Sequence, residues 1–199
     1  METVEEKYIL ALKDAFNSYS KLSEESWSRI REIIRFQSVK KGETILSAGQ
    51  TAKNIHFICK GIMRTFAADS QGNIYTKNIF LEHSFPASKV SLLLQAPSYI
   101  AIDALEDAVL INFNFGAYKQ LMEENEDIKR FYIAYIEQNW IIDKEQREIS
   151  IVMENASERY LKLLEKHPLL DKRIAQHHIA SHLGITPTQL SRIRKALKK

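Results

Sequence analysis

The sequence predicts an α+β protein: helices frame a small antiparallel barrel or sandwich, and a long helix leads to a basic helix-turn-helix. Three observations predict it. Turn signals recur at short intervals between residues 37 and 112, apolar residues repeat at heptad-like spacing from Ile128 to Val152, and residues 159–199 concentrate positive charge.

Residues 3–36 read as helical. Tyr8, Leu12 and Phe16 recur every fourth position, and Trp27, Ile30, Ile33 and Ile34 form a second face. Ser23 is placed to cap the second helix, with Ser26 at its third position. From residue 37 the pattern changes to short runs rich in Ile, Phe, Thr and Val. Lys41-Gly42, Ala48-Gly49-Gln50, Lys60-Gly61 and Asp69-Ser70-Gln71-Gly72-Asn73 punctuate them. Strands are expected near 44–46, 54–59, 62–68, 74–80, 99–104 and 108–112, an antiparallel closed or stacked arrangement.

A short helix is expected over 115–123, and a long one from about Glu126. Along the latter, Ile128, Phe131, Tyr135, Gln138, Ile142, Glu145, Ile149 and Val152 lie at heptad spacing, six of the eight apolar. At 1.5 Å per residue such a helix spans about 40 Å. A seam between two copies of the chain is the expectation; a helix packed along its own barrel is the alternative. Asn155 followed by Glu158 forms a capping-box pattern, which predicts a break and a hinge. Pro168 ends the next helix at His167.

The chain of 199 residues has a net charge of +3 that hides a division. Residues 159–199 carry +8, from ten Lys/Arg and two Asp/Glu, and the preceding residues carry −5. A basic module behind an acidic body suits a partner such as nucleic acid. The amphipathic, acidic start resembles no secretory signal, and no apolar run is long enough to span a membrane. The single cysteine, Cys59, excludes an internal disulfide and any thiolate-ligated zinc or iron–sulfur site within one chain. A cytoplasmic, non-membrane protein is expected.

Within the basic module, Ile179 and Leu183 share a helix face with small Ala180 beside them. Gly184 stands where the chain must reverse, a position that favours left-handed backbone. Thr186 caps a second helix, Pro187 takes its first position and Gln189 completes a Thr-x-x-Gln capping box. Leu190, Ile193 and Leu197 form its expected buried stripe. Thr188, Gln189, Ser191, Arg192 and Lys195 form a polar, cationic outer face suited to the major groove. Double-stranded DNA is therefore the expected partner. Lys162, Lys166, Arg173, Arg194, Lys195 and Lys198 are the expected phosphate contacts.

With these motifs in place, the chain resembles the Crp-Fnr family of bacterial transcription regulators. The resemblance is carried by Lys41-Gly42-Glu43, Phe57-Ile58-x-Lys60-Gly61, Asp69-x-x-Gly72 and Asp103-Ala104-Leu105. It continues through Ile179-Ala180-x-x-Leu183-Gly184-Ile185-Thr186 and Leu190-Ser191-Arg192-Ile193. It implies a jelly-roll-like β-roll (a double-stranded β-helix) as a cyclic-nucleotide-binding-like sensor domain over 1–125. A dimerisation helix over 126–154 and a helix-turn-helix DNA-binding domain over 155–199 would follow. Arg192 would read a base, with Thr186, Thr188, Gln189, Ser191, Arg194 and Lys195 around it on a roughly palindromic operator. A homodimer is implied, its helix carrying Ile128, Phe131, Tyr135, Ile142, Ile149 and Val152. RNA polymerase is a further candidate partner under the same resemblance.

The sequence departs from the family pattern in the phosphate-binding cassette. Its two parts align with Pro86-Ala87-Ser88 and Ser98-Tyr99-Ile100, without the family's glutamate and arginine. Losing that charge-assisted pair removes roughly 2–5 kcal/mol from phosphate binding. Cyclic AMP is thus not the expected effector. The effector is unknown, and its expected pocket is Ala87, Ser88, Lys89, Ser98 and Tyr99. The clustered cysteines of oxygen-sensing members are missing. The chain also ends at Lys199 directly after the recognition helix, so the hairpin that usually follows is expected to be absent or truncated.

No catalytic residue, cofactor or metal site is expected. His56 and His83 are isolated, and adjacent Glu82 and His83 would face opposite ways in a strand. His178 and His182 have helical metal-pair spacing but no acidic partner, which makes phosphate or solvent their expected neighbour. Lys77 and Lys89 could draw an anion to the roll, although isolated lysines are usually solvated. The alternative to a DNA-binding regulator is a ligand-binding β-roll whose basic end engages a protein.

Overall fold

Short runs rich in Ile, Phe and Val between residues 34 and 114 build seven strands of three to seven residues. In the computed structural model, which describes residues 3–197, these are β1 (Ile34–Val39), β2 (Thr44–Leu46), β3 (Asn54–Lys60), β4 (Met63–Ala68), β5 (Ile74–Phe80), β6 (Ala101–Ala104) and β7 (Ala108–Asn114). They pair antiparallel in two sheets, ordered β1-β7-β3 and β2-β6-β4-β5. The mixed α+β architecture with antiparallel sheets follows the sequence expectation.

Gly61 makes the tight β3–β4 connection possible. Its φ is +96°, and a Cβ there would meet the Asp107 carbonyl oxygen at 2.8 Å. Any side chain would have to displace backbone.

The N-terminal helices are α1 (Val4–Asn17) and α2 (Glu24–Ile33), the latter capped by Ser23, whose Oγ accepts from Ser26 N at 3.1 Å. Helix was expected to run through Phe36. Instead Ile34, Arg35 and Phe36 start β1, opposite Phe113, Asn112 and Ile111. A β-branched and aromatic run next to an open edge of β7 gains a ladder that a further helical turn would forgo.

The main core joins α1, α2, α4 (Phe115–Glu124) and α5 (Glu126–Ile136) to the sheets. Phe16 is its centre: its ring packs against Trp27, Phe85, Phe113, Tyr118 and Phe131, the last with centroids 4.0 Å apart. A short helix, α3 (Lys89–Leu94), bridges β5 and β6 and buries Ser91 and Leu92.

The long helix is not uniform. After α5 comes a π-helical segment, Glu137–Ile142, and then α6 (Asp143–Met153). Ile128, Phe131 and Tyr135 are buried in the chain's own core. They therefore do not form an exposed seam, which corrects the expectation for these three positions. Ile142, Ile149 and Val152 are exposed. The wider π turn accommodates an extra residue, which rotates the following stripe away from the roll.

The helical phase breaks at Glu154, and Asn155 caps α7 (Ala156–Lys166) through a complete capping box with Glu158. Then follow α8 (Leu170–Arg173), α9 (Gln176–Leu183) and α10 (Pro187–Ala196). A second core holds this C-terminal unit against the roll, where Ile62 and Leu105 pack with Tyr160, Leu170, Ile174, Ile179, Leu183 and Leu190. Among the described residues no helix is long and apolar enough to cross a membrane.

Candidate nucleic-acid interface

The C-terminal helix pair is set by local chemistry. Gly184 closes α9 with φ +69°, in the left-handed region where other residues are strained. Thr186 then starts α10: its Oγ1 accepts from Gln189 N at 3.2 Å, while Thr186 N donates to Gln189 Oε1 at 2.8 Å. Two of the first-turn donors and acceptors are thereby satisfied at the point where the helix begins. Leu190 is fully buried and Ile193 half-buried, but Leu197 is 46% exposed, so the buried stripe is one residue shorter than expected.

On the far side of α10, Thr188, Gln189, Ser191, Arg192 and Lys195 are all exposed. Gln189 divides its side chain between the cap and the surface; the other four form a free strip of hydroxyls and cations. The helix N-terminus adds positive field at the Thr188 end of the strip.

Several expected phosphate contacts are engaged elsewhere. Arg194 pairs with Asp171 at 3.3 Å and is largely covered. Arg173 binds Glu82 and Glu106, each at 2.6 Å, tying the helix unit to two loops of the roll. The Arg173 guanidinium holds the Glu82 carboxyl down to about 2. Lys162 pairs with Glu154, and Lys166 lies 3.8 Å from Asp143. Lys195 keeps an exposed head without an ion pair among the described residues. Lys198 lies outside the described residues. Sequence spacing reveals charge but not which carboxylate folds back against it.

Histidines 178 and 182 face the roll rather than phosphate or solvent. His178 Nδ1 lies 2.9 Å from Arg64 Nη1, and His182 Nδ1 lies 3.2 Å from the Thr76 carbonyl oxygen. Between them Ser181 Oγ accepts from Thr76 N at 2.9 Å and donates to the Ile74 carbonyl at 2.8 Å, extending the edge of β5 as a strand would. Arg64 itself is buried and bidentate to Asp103, at 2.8 and 2.9 Å. Burial and the Arg64 charge lower His178 to about 4. This docking surface was invisible in sequence, because Arg64, Thr76 and Asp103 come from three separate strands.

In the expected effector pocket, Ala87, Ser88 and Ser98 are buried, and Ser98 Oγ donates to Ser88 Oγ at 2.8 Å. Lys89 turns toward the long helix, bonding Tyr135 Oη at 2.9 Å. Tyr99 is 87% exposed and does not join them. His56 is buried against Asn112, its Nδ1 2.6 Å from Oδ1. His83 stacks on Phe57. Cys59 is buried, and desolvation pushes its thiol up to about 12, which leaves it protonated.

Comparison with known proteins matches this architecture. Residues 36–125 match the family model of the cyclic nucleotide-binding domain. No curated protein matches the chain in sequence. Among solved structures, FixK2 from Bradyrhizobium japonicum is 17% identical, covers 83% of this chain and 85% of its own, and has a TM-score of 0.69. The c-di-GMP-responsive global regulator CLP of Xanthomonas campestris is 12% identical over 88% of this chain and 92% of its own, also at 0.69. A transcriptional regulator assigned to the Crp/Fnr family, from Eubacterium rectale, is 18% identical, with 89% and 84% covered and a TM-score of 0.62. At these identities the likeness establishes the fold: a cyclic-nucleotide-binding-type roll followed by helices, in the arrangement that such regulators share.

Proposed function

We propose that this protein is a sequence-specific DNA-binding transcription regulator of the Crp-Fnr type, acting as a homodimer in the cytoplasm and catalysing no reaction. The exposed strip Thr188, Ser191, Arg192 and Lys195 on a capped helix carries this reading. It offers hydroxyl and guanidinium donors on a single helix, the element a major groove admits, with the apolar side of the helix packed on the second core. In this reading residues 1–125 are the sensor, 126–154 the dimerisation helix and 155–199 the helix-turn-helix. Exposed Ile142, Ile149 and Val152 are the part of the long helix left to pair with a second copy. Two recognition helices so related would read a roughly palindromic site, half-sites about one helical turn apart. Cyclic AMP is not the effector, since the cassette offers Ser88 and Ser98 paired with each other in place of a phosphate-binding arginine.

Fluorescence anisotropy with the DNA upstream of the protein's own coding sequence, against random duplex, tests the reading. Binding should be site-selective and should weaken steeply with salt. Arg192→Ala should lose about 1–3 kcal/mol on the specific site and little on random DNA. Equal losses on both would remove Arg192 from base reading, and no salt-sensitive binding at all would favour a protein partner for the basic end.

A further inference from the structure

Beside the indole of Trp140, two ammonium groups from two elements gather, and a guanidinium from the long helix reaches the backbone of one of them. Lys89, at the start of α3, places Nζ 4.1 Å from the Trp140 ring centroid and 4.5 Å from that of Tyr135. Its hydrogen bond to Tyr135 Oη is to a neutral group. Lys77, on β5, brings its own Nζ to 5.8 Å from the same indole. Arg147, on α6, donates from Nη1 to the Lys77 carbonyl at 3.2 Å, which ties β5 to the long helix. None of the three forms an ion pair among the described residues. Lys144 nearby is already matched by Glu148.

Such a grouping is costly when empty. Burial and then the Lys77 charge hold the Lys89 ammonium well below the usual lysine range. Lys77 is lowered by burial and then by Arg147 and Lys144. The aromatic rings offset part of this cost through their negative faces, but a ring carries no net charge. An anion at the junction would relieve the burial penalty and the mutual repulsion together.

The space available limits the anion's size. Behind Lys89 lies a void of about 20 Å³ lined by Ile55, Phe85, Phe113, Tyr118, Phe131, Tyr132 and Tyr135, room for about one water. Tyr118 Oη in that wall has no hydrogen-bond partner. A nucleoside does not fit that void, which favours a ligand at the rim, beside the charges. Two ammonium groups and a guanidinium suit a tetrahedral dianion, which point charges can approach from several directions.

We propose that this junction binds a compact phosphate dianion, free or carried by a small phosphate monoester, through Lys77, Lys89 and Arg147. As the effector of the regulator described above it rests on that reading; as a binding site it does not. The titration is therefore run on the full chain without DNA.

Inorganic phosphate, glycerol 3-phosphate and succinate are titrated separately at constant ionic strength, with tryptophan emission and melting temperature as readouts. Trp140 is one of only two tryptophans, so displacement of Lys89 from its face should register. A saturable change with phosphate or its ester is expected, and the tighter of the two names the source. Lys77→Met and Lys89→Met should each weaken it at least about tenfold. Lys89→Met should also melt higher than the parent without ligand, since it removes an uncompensated charge. Arg147→Gln, on an exposed helix, serves if either lysine variant folds poorly. No saturable change with either phosphate probe overturns the proposal. So does an unaltered change in the variants, and tighter binding of succinate replaces phosphate with a dicarboxylate. Loss of DNA binding with an intact phosphate titration would refute the regulator and leave the site.

Discussion

Helices α5 and α6 are each eleven residues long and belong to one rod, yet they live in different environments. The first buries Ile128, Phe131 and Tyr135; the second buries nothing, and Ile149, Ile151, Val152 and Met153 stand in solvent. Composition contributes: α5 carries Phe131, Tyr132 and Tyr135, whereas α6 has no aromatic residue and more charge. The π segment between them adds to this: it shifts the register between the buried stripe of α5 and the exposed Ile149 and Val152 of α6. One half of the helix completes the chain's own core, and the other half is left for whatever covers it, in the proposed function a second copy.

The sharpest way to break this comparison is to truncate one residue on each side. Phe131→Ala should destabilise the whole chain by about 3–5 kcal/mol, read as a lower urea midpoint, because its ring stacks on Phe16 and meets Phe85 and Tyr135. Ile149→Glu should leave the urea midpoint of the isolated chain within about 0.5 kcal/mol, as surface changes usually do. It should nevertheless shift light-scattering mass from dimer to monomer and weaken operator binding. If both substitutions unfold the chain equally, α6 is not a separate surface.

A smaller effect is expected where the C-terminal unit meets the roll. Arg173→Ala should cost about 1–3 kcal/mol, since it strands two half-covered carboxylates. Hydrogen exchange should localise the loss to α8, α9 and β5 and leave α5 protected. Uniform loss of protection would mean that the two cores do not open separately.

The smallest effect is a pH dependence. His178 faces Arg64 on β4, with Asp103 on β6, His177 beside it and Lys41 nearby. Its pKa of about 4 when docked lies below the 6.5 of a free histidine, so the docked state resists protonation. Docking is at full strength above pH 6.5 and weakens as pH falls from 6.5 toward 4, because the released state binds the extra proton. Glu82 acts lower still: its ion pair contributes above pH 4.5 and is lost on approach to pH 2. Protease sensitivity at the helix break before Asn155 should rise on acidification and stay flat from pH 7 to 8. A His178→Gln variant should lose part of the upper dependence, with His182, lowered by burial on the same surface, retaining the rest.

Much of the fold was legible because it depends on local rules. The turn at Gly61, the caps at Ser23, Asn155 and Thr186, and the break at Pro168 are each set within a few residues. The missing piece of the barrel, β1, was misread because Ile34 and Phe36 satisfy a helical face as well as a strand. Only β7, more than seventy residues away, decides between them. On the candidate interface, the exposure of Thr188, Ser191, Arg192 and Lys195 follows from helical periodicity alone. The withdrawal of Arg173 and Arg194 into ion pairs does not, because Glu82, Glu106 and Asp171 reach them only through the folded chain.

The sequence by itself therefore determined most of the order of elements (β1, α3 and α8 excepted), the capped terminal helices and the concentration of charge behind an acidic body, all properties of neighbours along the chain. Tertiary structure alone decided how the heptad pattern divides, which cations remain free, that α9 docks on β5, and that Lys77 and Lys89 meet at Trp140 with Arg147 bonded to the Lys77 backbone. These are long-range choices, made by packing and by pairing of buried charge, and neither is written in the spacing of residues.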